Sequence, residues 1–131
     1  MTLIEISRYF HLNETIQKNR EALKFLRERA EPAAPSLNGM PHASGVKDST
    51  GRLAVEIADM DARITYLEEQ AEQERDKAVA FCSTIQDARL YLIFRLRFVR
   101  CLTWAEVADL LGDYYTEEGV CRMACLLYTS D

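Results

Sequence analysis

The chain has 131 residues, which is enough for one ordinary domain or two small units. Apolar residues make up 48% and charged residues 28%, so the composition excludes an intrinsically disordered chain. There are 16 Lys and Arg against 21 Asp and Glu, a formal net charge of −5, and any contact with nucleic acid must therefore be local.

The sequence lacks the residues that several functional classes require. No apolar run approaches the length of a membrane span, and residues 1–5 lack the basic region of a secretory signal, so we expect a cytoplasmic protein without membrane partners. The four cysteines form no CxxC pair and lie far from both histidines. We therefore expect reduced thiols, no metal and no cofactor. No phosphate-binding loop or nucleophile motif is present, so we do not expect an enzyme.

Residues 2–31 are predicted to form one helix, because they contain no Gly or Pro and carry an apolar heptad. The residues at the heptad positions form a seam along one side of the helix, and Asn19 is its polar member. The other members are Tyr9, Leu12, Ile16, Leu23, Leu26 and Ala30. A polar residue inside a seam sets the register, whereas at the edge it stays hydrated, and the pattern leaves both open.

Residues 32–50 contain all three prolines and are predicted to form a connector. Pro32 and Pro35 cannot continue a helix, because proline lacks the amide proton and clashes with the preceding turn. A connector of this length between two helices is either functional or disordered, and composition leaves both open.

A second heptad begins at Leu53 and predicts a long coiled-coil helix. Its ten positions are Leu53, Ile57, Met60, Ile64, Leu67, Ala71, Glu74, Ala78, Phe81 and Ile85. Acidic residues exceed basic ones on this helix, and the reverse holds on the first, which favours pairing the two. We expect an antiparallel coiled-coil hairpin over residues 1–86. Parallel self-association of each helix, giving a homodimer, is the alternative.

The C-terminal part, residues 87–131, has the signals of a helix-turn-helix. Thr103 and Glu106 form a capping box, and Trp104 beside them is predicted to pack in the core. Gly112 is predicted to end a short helix, and Thr116 to cap the next one. A capped short helix, a turn and a second capped helix are typical of this motif. The expected fold class is therefore all-α, with a long hairpin followed by a small helix-turn-helix unit.

In a helix-turn-helix the second helix lies in the major groove and its first residues reach the bases. The candidate DNA-binding residues are Arg100, Tyr115, Thr116, Glu117, Glu118 and Arg122. Residues 87–131 hold five basic and seven acidic residues, which is unfavourable because phosphate contacts supply most of the affinity. A helical protein-interaction module is therefore the alternative.

The motif also resembles a known family. Leu96-Arg97-Phe98 followed by residues 102–112, LTWAEVADLLG, looks like the start of sigma-factor region 4. Over residues 9–124 the chain resembles a family of small phage and prophage proteins of Gram-positive bacteria. Those proteins pair a coiled-coil N-terminal half with a region 4-like C-terminus, and residues 35–48 carry the most distinctive similarity. The resemblance implies a phage transcription regulator that contacts promoter DNA, RNA polymerase or both in the cytoplasm of the bacterial host.

The end of the chain departs from region 4, whose recognition helix usually continues with basic residues. Residues 125–131, CLLYTSD, look like the translation of a sequencing adapter. We expect the natural sequence to end near Ala124, with the helix-turn-helix truncated there, and a genuine short C-terminus is the alternative. The opposing functional hypothesis is a coiled-coil adaptor for assembly that does not bind DNA.

Overall fold

The computed structural model describes residues 1–30 and 44–129, with side chains from 51 to 127 in the second range. Within these ranges the chain is helical and has no strand, which confirms the all-α class. The helices are α1 (Leu3–Ala30), α2 (Ser44–Cys82), α3 (Ala88–Phe94), α4 (Trp104–Leu111) and α5 (Glu117–Thr129). A π-helical turn, Arg95–Val99, follows α3 directly. None of the described helices has both the length and the apolar character needed to cross a bilayer.

Burial along both long helices follows the two heptads. The predicted seam positions within α1 and α2 are buried or half-buried, and the last one, Ile85, is half-buried beyond the end of α2 at Cys82. The α1 helix also has an N-terminal capping box, because Thr2 Oγ1 accepts a hydrogen bond from Glu5 N at 3.1 Å and Glu5 Oε2 accepts one from Thr2 N at 3.0 Å. The two heptads thus lie on buried faces of the helices, while Ile6, Phe10 and Cys82 are buried outside the predicted heptad positions.

The second helix begins earlier than the sequence predicts, at the C-terminal end of the predicted connector. The α2 helix begins at Ser44, so residues 44–50 are helical rather than part of the connector. The last proline is Pro41, and Gly45 and Gly51 weaken a helix without excluding it. Residues 31–43, including most of the distinctive segment at 35–48, lie outside the described residues.

The chain divides into two compact units. One is formed by Met1–Glu14 with Glu69–Asp131, and the other by Thr15–Glu68. We call the first the terminal unit and the second the two-helix unit.

In the two-helix unit, α1 and α2 run antiparallel. Arg20 contacts Glu68 at 3.2 Å, and Arg27 contacts Asp61 at 3.1 Å. The residue number of the partner on α2 therefore decreases as the residue number on α1 increases, which defines an antiparallel pair. Ile16, Leu23 and Ile64 are the buried apolar residues of this unit among those that the structure describes.

Asn19 is half-buried within this unit and makes hydrogen bonds on both sides. Its Nδ2 donates to the Thr15 carbonyl of the same helix at 2.7 Å, and its Oδ1 accepts from Arg63 Nε on α2 at 3.1 Å. The polar member of the seam is thus tied to the opposite helix, and this contact favours one register.

The terminal unit has a hydrophobic core to which all five helices contribute. Ile93, Phe94, Val107 and Val120 have no exposed surface, and Ile6 from α1 joins the same cluster. The Phe94 ring lies 5.3 Å from the Phe98 ring and 6.0 Å from the Phe81 ring, measured between centroids. Elements that are far apart in sequence therefore meet around one group of aromatic side chains.

The end of the π-helical turn sets the direction of the chain into α4. Arg100 N donates to the Arg95 carbonyl at 2.9 Å, and Leu102 N donates to the Leu96 carbonyl at 3.1 Å. Between them Cys101 has φ of 60°, the left-handed conformation that usually requires glycine. These contacts position the start of α4.

Candidate nucleic-acid interface

The α4 helix has the ends that the sequence predicts. Thr103 Oγ1 accepts from Glu106 N at 3.1 Å, and Glu106 Oε1 accepts from Thr103 N at 3.0 Å. The backbone N–H of Thr103, followed by the Thr103 side chain, lowers the pKa of the Glu106 carboxyl below its ordinary value. Gly112 ends the helix with φ of 113°, in the region that favours glycine.

The start of α5 also follows the prediction. Thr116 Oγ1 accepts from Gly119 N at 3.0 Å, and the Thr116 carbonyl accepts from Val120 N at 3.0 Å. A Cβ atom at position 119 would lie 2.9 Å from Thr116 Oγ1, so glycine there leaves room for the cap. The turn from Gly112 to Tyr115 is closed by a hydrogen bond from Tyr115 N to the Gly112 carbonyl at 3.1 Å.

The two helices pack against each other through small and β-branched residues. Val107 and Ala108 of α4 and Val120 and Ala124 of α5 are all buried. Trp104 is half-buried, and its ring meets the Phe98 ring edge to face at 6.1 Å. The opposite side of α5 is left facing solvent.

Four of the six candidate DNA-binding residues share this solvent-facing side. Thr116, Glu117, Glu118 and Arg122 are exposed at the start of α5 or within its first turns. Tyr115 is half-buried against the core, and the Arg89 guanidinium lies 5.8 Å from its ring centroid. It is therefore packed within the terminal unit.

Arg100 is exposed and belongs to a different element, the end of the π-helical turn. It is the remaining one of the six candidates.

The charge of this surface is acidic. Between Cys101 and Cys121 there is no Lys or Arg, while Glu106, Asp109, Asp113, Glu117 and Glu118 are all exposed. The cation on the exposed side of α5, Arg122, is paired with Glu118 at 3.2 Å. The candidate DNA-binding residues at the start of α5 therefore lie on a surface whose excess negative charge repels phosphates.

Arg97, which is not among the candidate DNA-binding residues, packs against two aromatic rings. Its guanidinium lies over the Phe10 ring at 3.8 Å and over the Trp104 ring at 4.7 Å. Its Nη1 donates to the Leu102 carbonyl at 3.1 Å, whereas Nε is buried without a hydrogen-bond partner. The side chain thus joins the first part of α1 to the segment before α4.

Burial shifts the pKa of two groups at this junction. The pKa of Arg97 is lowered by desolvation, which nearby Glu14 partly opposes. Burial raises the pKa of the Cys101 thiol to about 11. Sequence reasoning missed this junction, because Phe10 is far from Arg97 along the chain and no local pattern connects them.

The cysteines and the possible metal ligands are the remaining candidates for a chemical site. All four cysteines are free thiols. Over residues 1–30 and 44–129, no group of three or more His, Cys, Asp or Glu side chains could hold a metal ion. An open groove on the exposed side of α5 is lined by Trp104, Thr116, Glu117, Glu118, Cys121, Arg122 and Cys125. It contains four of the six candidate DNA-binding residues.

Comparison of the chain with protein-family models, with curated proteins and with solved structures found no match.

Proposed function

We propose that the chain is a phage-encoded transcription regulator, in which α4, the turn and α5 form a sigma region 4-like helix-turn-helix. The observation that carries this proposal is the packing of two separately capped helices around Val107, Ala108, Val120 and Ala124. That packing leaves the first turns of α5 open to solvent, as a recognition helix requires. The resemblance of residues 96–112 to region 4 supports the same assignment.

In this proposal the regulator acts on promoter DNA together with RNA polymerase. Arg100 contacts phosphate, while Thr116, Glu117 and Arg122 meet base edges. The acidic surface makes the affinity for DNA alone weak, so a protein contact supplies the rest of the binding energy. The α1–α2 pair forms an antiparallel coiled-coil hairpin, and a second copy associates through the coiled coil.

The charges on α5 allow a test of direct DNA binding. Glu118→Gln frees Arg122 from its 3.2 Å partner and removes one negative charge, so binding to duplex promoter DNA should tighten. Arg100→Ala should weaken binding and lower the slope of log K against log salt by about one. Fluorescence anisotropy over a salt series measures both.

Matched variants provide the control. Glu72→Gln and Lys18→Ala make the same charge changes at exposed positions on α2 and α1. If these controls alter DNA binding as much as the two test variants do, α5 is not the DNA-reading element.

A second candidate is an adaptor that binds protein and not DNA. The absence of Lys and Arg between Cys101 and Cys121 favours it, because a DNA-reading surface is usually basic. No binding to duplex DNA at low salt by the wild type and by Glu118→Gln would select this candidate.

A further inference from the structure

The outer side of α4 and the following turn expose two large apolar side chains. Leu110 is 66% exposed and Tyr114 is 99% exposed. Val107 and Ala108 face the core, so the exposed side of the helix carries Leu110 with its acidic neighbours. We call the set Glu106, Asp109, Leu110, Asp113 and Tyr114 the α4 outer face.

The exposure of Tyr114 contrasts with the packing of the neighbouring Tyr115. Tyr115 is half-buried, packs against the core and lies beneath Arg89, whereas Tyr114 extends into water. Hydration of a whole aromatic ring is unfavourable, and such rings are enriched where proteins bind one another.

Acidic side chains flank both exposed residues. Asp109 and Asp113 are exposed, and within the described part of the chain neither lies within ion-pair distance of a basic side chain. Elsewhere Asp61, Glu68 and Glu118 each have an arginine partner. The α4 outer face therefore combines apolar area with negative charge that no basic side chain in the described part of the chain pairs with.

We propose that the α4 outer face is a docking surface for a basic protein surface, with Lys and Arg around an apolar pocket that receives Leu110 and Tyr114. Burial of the two side chains supplies binding energy, and the basic rim pairs with the acidic residues and speeds encounter. Nucleic acid does not fit this face, because its phosphates are repelled. The proposal does not depend on whether α5 contacts DNA.

An amphipathic helical peptide of Lys and Leu serves as the probe for this chemistry. We expect the peptide to shift backbone amide signals of residues 106–114 in a two-dimensional NMR titration of the full chain, with affinity that falls as salt rises. A peptide in which Ser replaces every Leu, with the same number of Lys residues, should bind at least about tenfold more weakly, because it cannot fill the apolar contact.

Variants at exposed positions test the surface without disturbing the core. The double variant Leu110→Ala with Tyr114→Ala should weaken binding of the Lys–Leu peptide by about tenfold or more. The matched control, Val55→Ala with Tyr66→Ala, removes similarly exposed side chains from α2 and should leave binding unchanged.

Four results would overturn the proposal. The Ser peptide could bind as tightly as the Leu peptide, or the control pair could weaken binding as much as the test pair does. Sedimentation could show self-association that Leu110→Ala abolishes, which would make a second copy the occupant. Duplex DNA could shift the same amide signals as the peptide.

Discussion

The terminal unit buries side chains from α1 through α5 around Phe94 and Phe98, while the two-helix unit buries a single line of apolar residues between two helices. Polar contacts in the two units differ in the same way. The ion pairs of the two-helix unit are exposed, such as Arg27 with Asp61. In the terminal unit a half-buried arginine lies between two aromatic rings. Helical periodicity is enough to specify a single line of apolar contacts between two helices. A core that several helices share buries more side chains completely, so we expect it to contribute more to the free energy of unfolding.

Removal of a ring from the terminal core should have the largest effect. Phe94→Ala deletes a side chain with no exposed surface and should lower the free energy of unfolding by about 3–5 kcal/mol. Leu23→Ala in the two-helix unit should cost about 2 kcal/mol, because an open groove beside Leu23 lets water fill the space. Urea unfolding followed by circular dichroism measures both.

Trp104 is the one tryptophan of the chain and lies in the terminal unit, so its fluorescence reports on that unit. Phe94→Ala should move the midpoint seen by fluorescence more than Leu23→Ala does. Equal shifts from the two variants would show that the units do not differ in the stability of their cores.

Arg97→Ala should have the next largest effect, about 2 kcal/mol of stability, because it removes two cation–π contacts and a hydrogen bond to Leu102. Arg97→Lys should recover little of this loss, because an ammonium group does not stack on rings as a planar guanidinium does. Thermal unfolding gives the stabilities, and the emission maximum of Trp104 should change in both variants. Wild-type behaviour of Arg97→Lys would argue that charge alone is required.

Cys101→Gly should stabilise the chain by about 1 kcal/mol or less, because glycine adopts positive φ without strain. The same variant should change the pH dependence. Burial raises the pKa of the Cys101 thiol from 9.0 to about 11, so the protonated thiol favours the folded state. That contribution is complete below pH 9.0 and is lost as pH rises from 9.0 towards 11.

Urea unfolding between pH 8 and 11 should therefore show a smaller alkaline loss in Cys101→Gly than in the wild type. Cys125→Ser is the control, because it changes an exposed thiol. An alkaline loss unchanged by Cys101→Gly would assign the effect to other groups.

The exposed ion pairs of the two-helix unit should matter least. A double-mutant cycle on Arg27 and Asp61 should give a coupling of about 0.2–1 kcal/mol that decreases with added salt. A coupling well above this range would show that charge pairing, rather than the apolar seam, holds the two helices together.

The heptads of α1 and α2, the capping box at Thr103, the cap at Thr116 and the glycine after α4 were all predictable from sequence. Each depends on residues within a few positions of one another, since helical periodicity and capping are local properties. The predicted start of α2 lies several residues after the observed one, Ser44. Glycines such as Gly45 weaken a helix but do not mark the residue at which it begins. The cap that Asp87 provides for α3 also depends on neighbouring residues alone.

The position of Arg97 was decided by tertiary structure alone. Its ring partner Phe10 belongs to α1, and its other contacts depend on the π-helical turn and on the left-handed Cys101. The same holds for Tyr114 and Tyr115, adjacent residues of one type of which only the second packs against the core. The sequence by itself determined where helices form and which stripe of each is apolar, since those follow from neighbouring residues. Only the packed structure decided which arginine packs against aromatic rings and which aromatic ring is left in water, because that depends on residues brought together from distant parts of the chain.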